Sequence, residues 1–125
     1  FDCLTTPDLV PVITAMAAHR KASTRIINIE KLNHKESNRI LILKREFEKM
    51  GCRVDAGNDY LTIIPPQTGH LRTYEVFDPE DDHRIAMAIE TALIKEKTPH
   101  SLLNPNCVNK SYPGFYEMIR LFAPC

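Results

Sequence analysis

The sequence has 125 residues, of which 43% are hydrophobic and 26% are charged, a composition typical of one globular domain or of part of one. Its 16 Lys and Arg residues balance 16 Asp and Glu residues, which argues against a nucleic-acid coat protein or a basic membrane-binding protein. No apolar run approaches the ~20 residues that a membrane-spanning helix needs, and no secretory signal precedes Phe1.

The four cysteines, Cys3, Cys52, Cys107 and Cys125, indicate neither a redox pair nor a metal site. None of them forms a Cys-x-x-Cys pair, and no Cys/His cluster has the spacing of a zinc site. We therefore expect no metal and a reduced, cytoplasmic protein whose cysteines act as small apolar side chains. Two disulfides remain arithmetically possible. The chain lacks an initiating Met, as a processed chain or a piece of a longer protein would.

The first half of the chain predicts a strand, a helix, a strand, a helix and a hairpin. Residues 1–4 supply the first strand, and Thr6 caps a helix that opens at Pro7 and Asp8. The apolar stripe of this helix is Leu9, Val12, Ile13, Met16 and Ala17. A strand at 25–29 follows, and the hairpin pairs 52–55 with 60–64.

The second predicted helix, at about 35–50, lies between the strand at 25–29 and the hairpin. Gly51 ends it. Its stripe is Ile40, Leu43, Phe47 and Met50.

The second half of the chain repeats part of this order of strands and helices. A strand at 74–77 precedes a third helix, which Asp81 and Asp82 cap and whose stripe is Ile85, Ala88, Ile89, Ala92 and Leu93. A short strand at 100–103 and a last helix after Pro113 follow, with Phe115, Met118, Ile119 and Phe122 facing inward. The order amounts to one β-α-β-α-β-β unit and most of another, which predicts an α/β fold.

Basic residues stand close to the starts of three predicted helices. Lys35 and Arg39 are four positions apart and are expected to share one face of the second helix. Arg84 lies in the first turn of the third helix, and Lys110 precedes the last. Because cations oppose the helix dipole at these positions, a shared phosphate or carboxylate would explain them. The alternative is that Arg39 and Arg84 pair with local acids such as Asp81 or Asp82.

Three further side chains each allow two interpretations. Glu36 is either a proton-transferring carboxyl or an ordinary acid of a first helical turn. Asp8 is either a helix cap or part of a pocket with Lys35. His83 either titrates near neutral pH or is a hydrogen-bonded structural histidine. Glycine-rich nucleotide loops, the serine hydrolase elbow and the zinc protease motif are all missing from the sequence, which disfavours those three activities.

Four segments occur in the order and with the spacing of one known family. Asp-Cys-Leu-Thr-Thr-Pro-Asp at 2–8 is similar to its Asp-x-x-x-x-Pro-Asp, and Lys-Glu-Ser-Asn-Arg at 35–39 to its Lys-Glu-[Ser/Thr]-Asp-Arg. Asp-His-Arg-Ile-Ala-Met at 82–87 is similar to its Asp-His-Arg-Met-Ala-Met, and Cys-Val-Asn-Lys-Ser-Tyr-Pro at 107–113 to its Cys-x-x-Lys-[Ser/Thr]-[Phe/Tyr]-Pro. The chain therefore resembles the EPSP synthase family.

This resemblance implies the enolpyruvyl transferase fold, an inside-out α/β barrel. Members have two domains, each of three β-α-β-α-β-β units, with the active site in the cleft between them. Residues 1–125 would be the C-terminal part of one domain, with less than two units present and the second domain absent. The nearest rival, UDP-N-acetylglucosamine enolpyruvyl transferase, shares the fold but lacks this combination of motifs.

The resemblance also implies a reaction and roles for the site residues. The family transfers the enolpyruvyl group of phosphoenolpyruvate to the 5-hydroxyl of shikimate 3-phosphate by addition and elimination, without metal or organic cofactor, in the pathway to aromatic amino acids. Asp8 and Lys35 would handle the attacking hydroxyl, and Glu36 would transfer protons at the vinyl carbon. Arg39, Arg84 and Lys110 would bind phosphoenolpyruvate, with His83 in a supporting role. Glyphosate, the family's inhibitor, would occupy the same pocket.

Two substitutions and the chain length depart from the family pattern. Asn38 replaces the common Asp, so we expect Arg39 to be held less rigidly. Lys31 stands where some members have an Asn that contacts the shikimate phosphate, and that contact is not carried over. Because a chain that carries only part of the active site cannot orient two substrates, the chain alone is expected to be inactive without the rest of the enzyme. A non-catalytic, anion-binding remnant is the alternative.

Overall fold

The computed structural model describes residues 1–35 and 37–122, which fold into alternating helices and strands. The helices are α1 (Val10–Ala17), α2 (Arg39–Lys49), α3 (His83–Ala92) and α4 (Phe115–Ile119), and the strands are β1 (Thr24–Ile27), β2 (Arg53–Ala56), β3 (Tyr60–Ile64), β4 (Val76–Phe77) and β5 (Ser101–Leu102). Short 3-10 helices occupy Pro7–Leu9, Glu30–His34 and Pro105–Lys110. None of the helices in these two ranges is both long and apolar enough to cross a membrane.

The first sheet follows the predicted unit. Its strand order is β1-β3-β2, and both pairs are antiparallel, so that Ile63 of β3 lies opposite Thr24 on one side and Val54 on the other. The strand expected at 1–4 is reduced to a single parallel bridge between Asp2 and Ile27. With α1 and α2 this sheet completes one β-α-β-α-β-β unit, and the predicted hairpin is confirmed.

The second unit is built around α3. Strands β4 and β5 are parallel, with Val76 opposite Ser101, and α3 connects them. The predicted stripe of α3 is confirmed, because all its members are buried: Ile85, Ala88, Ile89, Ala92 and Leu93. Asp82 is its N-cap, as expected. This β-α-β segment continues into α4, so the α/β prediction holds for both halves of the chain.

A single large apolar core joins the two units, because α1 packs against α3 and α2 packs against β2. The predicted stripe of α2 is fully inside it: Ile40, Leu43, Phe47 and Met50. A smaller cluster lies under α4, around Phe115 and Cys107. The three described cysteines, Cys3, Cys52 and Cys107, are buried and free, while Cys125 lies outside the described residues.

The predicted inner face of α1 is right for Ala17, which is buried, and for Ile13, which packs against the core, but wrong for its other three members. Leu9, Val12 and Met16 are 49%, 41% and 64% exposed, and the helix instead buries a face that includes Val10 and Thr14. Thr14 tolerates burial because its hydroxyl donates a hydrogen bond to the Val10 carbonyl at 2.8 Å. Nor does Thr6 cap this segment through its side chain, since the chain enters it through a 3-10 turn.

The predicted start of α2 and the inward face of α4 are also corrected. The second helix begins at Arg39, because Asn38 caps it by accepting a hydrogen bond from the Leu41 amide at 3.3 Å. Lys35 therefore lies before the helix in an extended conformation and does not share a helical face with Arg39. At the other end of the chain, Phe122 follows α4 and is 68% exposed.

Candidate active site

The carboxylate of Asp8 is the meeting point of three cations. Its Oδ1 lies 3.0 Å from Arg39 Nη1 and 3.7 Å from Lys35 Nζ, and its Oδ2 lies 3.6 Å from Arg84 Nη2. The side chain is 47% exposed, so the cluster opens to solvent. Burial disfavours its charge, but Arg84, Lys35 and Arg39 outweigh that effect and hold the pKa of Asp8 below its ordinary value of 3.8. Asp8 is therefore ionised at neutral pH.

Three separate parts of the fold bring these residues together. Asp8 stands in the 3-10 turn that leads into α1, Arg39 is the first residue of α2, and Arg84 lies in the first turn of α3. Because α1 packs against α3 and α2 also contacts both helices, their N-terminal ends converge. Three of the four predicted cations, Lys35, Arg39 and Arg84, therefore meet at Asp8, with Lys35 reaching it from an extended segment, whereas Lys110 pairs with Asp81.

Arg39 is the buried member of the cluster. Its side chain is only 1% exposed, and its Nε donates a hydrogen bond of 2.8 Å to Asp82 Oδ2. Its Nη2 lies 3.4 Å from Asp82 Oδ1, while Nη1 donates to Asp8. The guanidinium is therefore held between a buried and an exposed carboxylate. Asn38 serves α2 as its cap, and the expected loosening of Arg39 by this substitution stays a prediction.

Asp82 joins the starts of α2 and α3 and is completely buried. Its Oδ2 accepts hydrogen bonds from Ser37 Oγ and Arg39 Nε, both at 2.8 Å, and its Oδ1 accepts one from the Arg84 amide at 3.0 Å. Burial alone would raise the pKa of Asp82, but the hydrogen bonds from Arg39 and Ser37 prevail and lower it. Sequence reasoning identified Asp82 as a cap and gave its pairing with Arg39, 43 positions away, only as the alternative to an anion site.

Two cations of the cluster remain accessible to a ligand. The side chains of Lys35 and Arg84 are 31% and 39% exposed. Beside Arg84 a groove of about 230 Å³ runs between α1 and α3, with Leu9, Val12 and Met87 in its wall. An anion bound at Lys35 and Arg84 would thus have an apolar surface next to it.

Lys110 approaches the start of α3 by another route. Its ammonium donates hydrogen bonds to Asp81 Oδ2 at 2.9 Å and to the Asp81 carbonyl at 2.6 Å. The bond to the Asp81 side chain is the main reason why the pKa of Lys110 lies above its ordinary value of 10.5. Glu80 and Asp81 both adopt left-handed backbone conformations, with φ of 50° and 65°, which non-glycine residues seldom do.

The two remaining predicted site residues are His83 and Glu36. His83 is the first residue of α3 and is 9% exposed, and its Nδ1 has no hydrogen-bond partner among the described residues. The expectation of a fully hydrogen-bonded structural histidine is therefore not met at that atom. Glu36 lies outside the described residues, so its catalytic role stays a prediction.

Local ion pairing, the alternative interpretation of the basic residues, holds in part. Arg39 does pair with Asp82, as that alternative expected, but Arg84 pairs through its side chain with Asp8. A separate cavity of about 280 Å³ at the C-terminal end of α3 is lined by Glu90 and His100, which contact each other, and contains none of the four motifs. Within residues 1–35 and 37–122 no group of three or more His, Cys, Asp and Glu side chains is placed to hold a metal ion.

Comparison with known proteins identifies the family to which these motifs belong. The family model described as EPSP synthase (3-phosphoshikimate 1-carboxyvinyltransferase) matches residues 2–119. The chain is 38% identical over 117 residues to the 3-phosphoshikimate 1-carboxyvinyltransferase of Nitrosomonas europaea, covering 94% of this chain and 26% of that protein. It is 40% identical over 111 residues to the enzyme of that name from Clostridium perfringens, covering 89% of this chain and 26% of that protein.

Solved structures show the same fold. The EPSP synthase of Acinetobacter baumannii superposes with a TM-score of 0.82 at 24% identity, over 94% of this chain and 27% of that one. The chain thus spans about a quarter of the length of the curated relatives that it matches. From the family model and the curated relatives together, the chain belongs to the EPSP synthase family.

Proposed function

We propose that this chain supplies half of the active site of a 3-phosphoshikimate 1-carboxyvinyltransferase. The reaction moves the enolpyruvyl group of phosphoenolpyruvate to the 5-hydroxyl of shikimate 3-phosphate and releases phosphate. The observation that carries the proposal is the convergence of Lys35, Arg39 and Arg84 on Asp8, because all four stand in the family's motifs. Residues 1–125 would form the C-terminal part of one domain, and the rest of a longer cytoplasmic enzyme would complete the cleft.

The cations divide into accessible and anchored groups. Phosphoenolpyruvate carries a carboxylate and a phosphate, and guanidinium groups bind both in a bidentate geometry. Arg84 is open to solvent, whereas Arg39 is fixed behind it by Asp82 and meets the exposed Asp8 through Nη1. Lys110, held at the start of α3 by Asp81, would complete the anion site. A preorganised set of cations stabilises developing negative charge without rearranging during the reaction.

The hydroxyl of the second substrate would be handled by Asp8 and Lys35. An ionised Asp8 accepts a hydrogen bond from the 5-hydroxyl and orients its oxygen toward the vinyl group, while Lys35 offsets the charge that develops on that oxygen. The oxygen adds to the substituted vinyl carbon as its proton passes to Asp8, and another proton is delivered to the methylene carbon. Loss of phosphate and of a proton then restores the double bond. Glu36 is proposed for the proton transfers on its motif alone.

The experiment that tests the proposal is an exchange enzyme, in which this chain replaces the segment that it matches in the Nitrosomonas europaea relative. Phosphate release would be measured with phosphoenolpyruvate and shikimate 3-phosphate, for the exchange enzyme, the unmodified relative and the 125-residue chain alone. We expect the exchange enzyme to work within about tenfold of the relative, which corresponds to a small change in activation free energy. The chain alone should release no phosphate, because it lacks the part of the active site that the rest of the enzyme would supply.

The alternatives predict different outcomes of the same assay. A folded but inactive exchange enzyme would favour the non-catalytic remnant. Activity with UDP-N-acetylglucosamine in place of shikimate 3-phosphate would favour the rival transferase. Competition of glyphosate with phosphoenolpyruvate would support a shared pocket, and noncompetitive inhibition would contradict it.

A further inference from the structure

We infer that Asp82 is a positioning residue, which sets the place of Arg39 and so the affinity for phosphoenolpyruvate. The inference rests on the proposed function and assigns to Asp82 a purpose beyond capping α3. Asp82 touches no substrate in this account. It acts through Arg39, whose other edge meets Asp8.

The contacts of Asp82 are distributed over three segments of the chain. One oxygen binds Ser37, just before α2, and Arg39, at its start, both at 2.8 Å. The other accepts the Arg84 amide in α3 at 3.0 Å and lies 3.4 Å from Arg39 Nη2. A carboxylate that meets the Nε and Nη2 edge of a guanidinium from both oxygens fixes the plane of that group as well as its distance. Asp82 therefore sets the orientation of Arg39 relative to α3.

The burial of this pair argues for positioning in addition to stability. Asp82 is fully buried and Arg39 is 1% exposed. Removing two charges from water costs nearly as much as their attraction returns, so apolar side chains of similar size would often stabilise a protein equally well. The arginine continues to the exposed Asp8, 3.0 Å from its Nη1. The pair thus connects the buried starts of two helices with the accessible cluster.

Glu46 provides a matched control within the same chain. It is also fully buried and charged, and it binds Arg45 Nε at 2.8 Å and Lys49 Nζ at 3.0 Å. It also accepts a hydrogen bond from the Asp78 amide. None of these partners belongs to the cluster around Asp8. Loss of either carboxylate should disturb folding, whereas only Asp82 should affect the substrate.

The substitution Asp82→Asn separates charge from capping, because Asn caps helices about as well as Asp. In the exchange enzyme we expect Asp82→Asn to raise the KM for phosphoenolpyruvate at least about tenfold, since small displacements of a binding group have large kinetic effects. Glu46→Gln should leave that KM within about twofold of the unsubstituted value, while lowering the melting temperature comparably. Equal KM values for the two variants would overturn the inference.

Ser37→Ala is the milder second variant, for the case in which Asp82→Asn does not fold. It removes one hydrogen bond to Asp82 without breaking the ion pair, and it should raise the same KM about two- to fivefold. An unchanged KM in Ser37→Ala, together with an unfolded Asp82→Asn, would count against positioning. A folded exchange enzyme that shows no transferase activity before any substitution would instead remove the proposed function itself.

A readout without catalysis is the Arg39 side chain in the 125-residue chain. Its Nε proton, bonded to Asp82, should exchange slowly with water and give a distinct NMR resonance. Asp82→Asn should accelerate that exchange, and Glu46→Gln should not. A fast-exchanging Nε proton in the unsubstituted chain would contradict the inference regardless of any kinetic result.

Discussion

At the scale of single residues, the site depends on acids as much as on cations. Three basic side chains contact Asp8, and the buried Asp82 binds one of them, Arg39. Sequence reasoning identified the cations and Asp8, and it named Asp82 as a helix cap and, beside Asp81, as an alternative partner of Arg39. The partner of a buried arginine is determined by packing between distant segments, and no spacing rule reports a contact between positions 39 and 82.

Lys35→Met tests whether Lys35 serves chemistry or folding. Its pair with Asp8 is 3.7 Å long and partly exposed, and such pairs contribute less than about 1 kcal/mol to the free energy of unfolding. In the exchange enzyme turnover should fall by about 100-fold or more, the range of a lost proton-transfer or charge-stabilising group. Lys21→Met, an exposed lysine between α1 and β1, is the control and should change neither turnover nor stability. A Lys35→Met protein that unfolds would indicate a structural role.

The low pKa of Asp82 leads to a prediction about acid stability. A carboxyl whose folded pKa lies below the unfolded value of 3.8 stabilises the protein above that pH, and the contribution is lost as the pH falls through the folded pKa. At neutral pH Asp82→Asn should reduce the free energy of unfolding by about 3 kcal/mol, the typical cost of breaking a buried pair. Urea unfolding should show this difference shrinking below about pH 4. A difference that stays constant into acid would contradict the assignment.

At the scale of elements, regular apolar patterns predicted the fold well. Two errors concern the start of α2 and the inner face of α1. The stripes of α2 and α3 and the hairpin of β2 and β3 are confirmed, because their period matches one buried face. The start of α2 was placed too early because Asn38 caps it. The face of α1 was misassigned for Leu9, Val12 and Met16 because this helix is apolar on more than one side, so that its pattern alone does not identify the inner face.

The cap at Asn38 can be tested directly. Its Oδ1 accepts the Leu41 amide hydrogen at 3.3 Å, and loss of such a cap costs about 1 kcal/mol. Asn38→Ala should therefore lower the free energy of unfolding of the chain by that amount in urea titrations. Asn106→Ala, at an exposed asparagine, should stay within about 0.5 kcal/mol of the unsubstituted chain. Equal effects of the two substitutions would show that Asn38 does not act as a cap.

At the scale of the whole molecule, α1 and the residue before it present an exposed apolar face. Leu9, Val12 and Met16 follow one another along a single exposed stripe, and the chain spans about a quarter of its curated relatives. A helix that is apolar on several sides is typical of the interior of a larger protein. The stripe therefore fits the proposal that further units of the enzyme cover it.

Met16→Glu distinguishes a covered stripe from a free one. In the 125-residue chain the position is 64% exposed, so the free energy of unfolding should change by less than about 0.5 kcal/mol. In the exchange enzyme a buried, unpaired carboxylate should cost several kcal/mol and lower the melting temperature clearly. Arg53→Glu, at an exposed polar position of β2, should have little effect in either protein. Equal tolerance of Met16→Glu in both would show that nothing covers α1.

The most direct test of the account is whether Arg84 binds the anion of phosphoenolpyruvate. Calorimetric titration of the exchange enzyme with phosphoenolpyruvate, without shikimate 3-phosphate so that no turnover occurs, would be compared between the unsubstituted protein and Arg84→Ala. Arg53→Ala would serve as the control for loss of an exposed arginine. We predict that Arg84→Ala weakens binding at least about tenfold, as expected for a lost charge-assisted pair, while Arg53→Ala binds normally. Unchanged affinity in Arg84→Ala would contradict the assignment of this cluster as the phosphoenolpyruvate site.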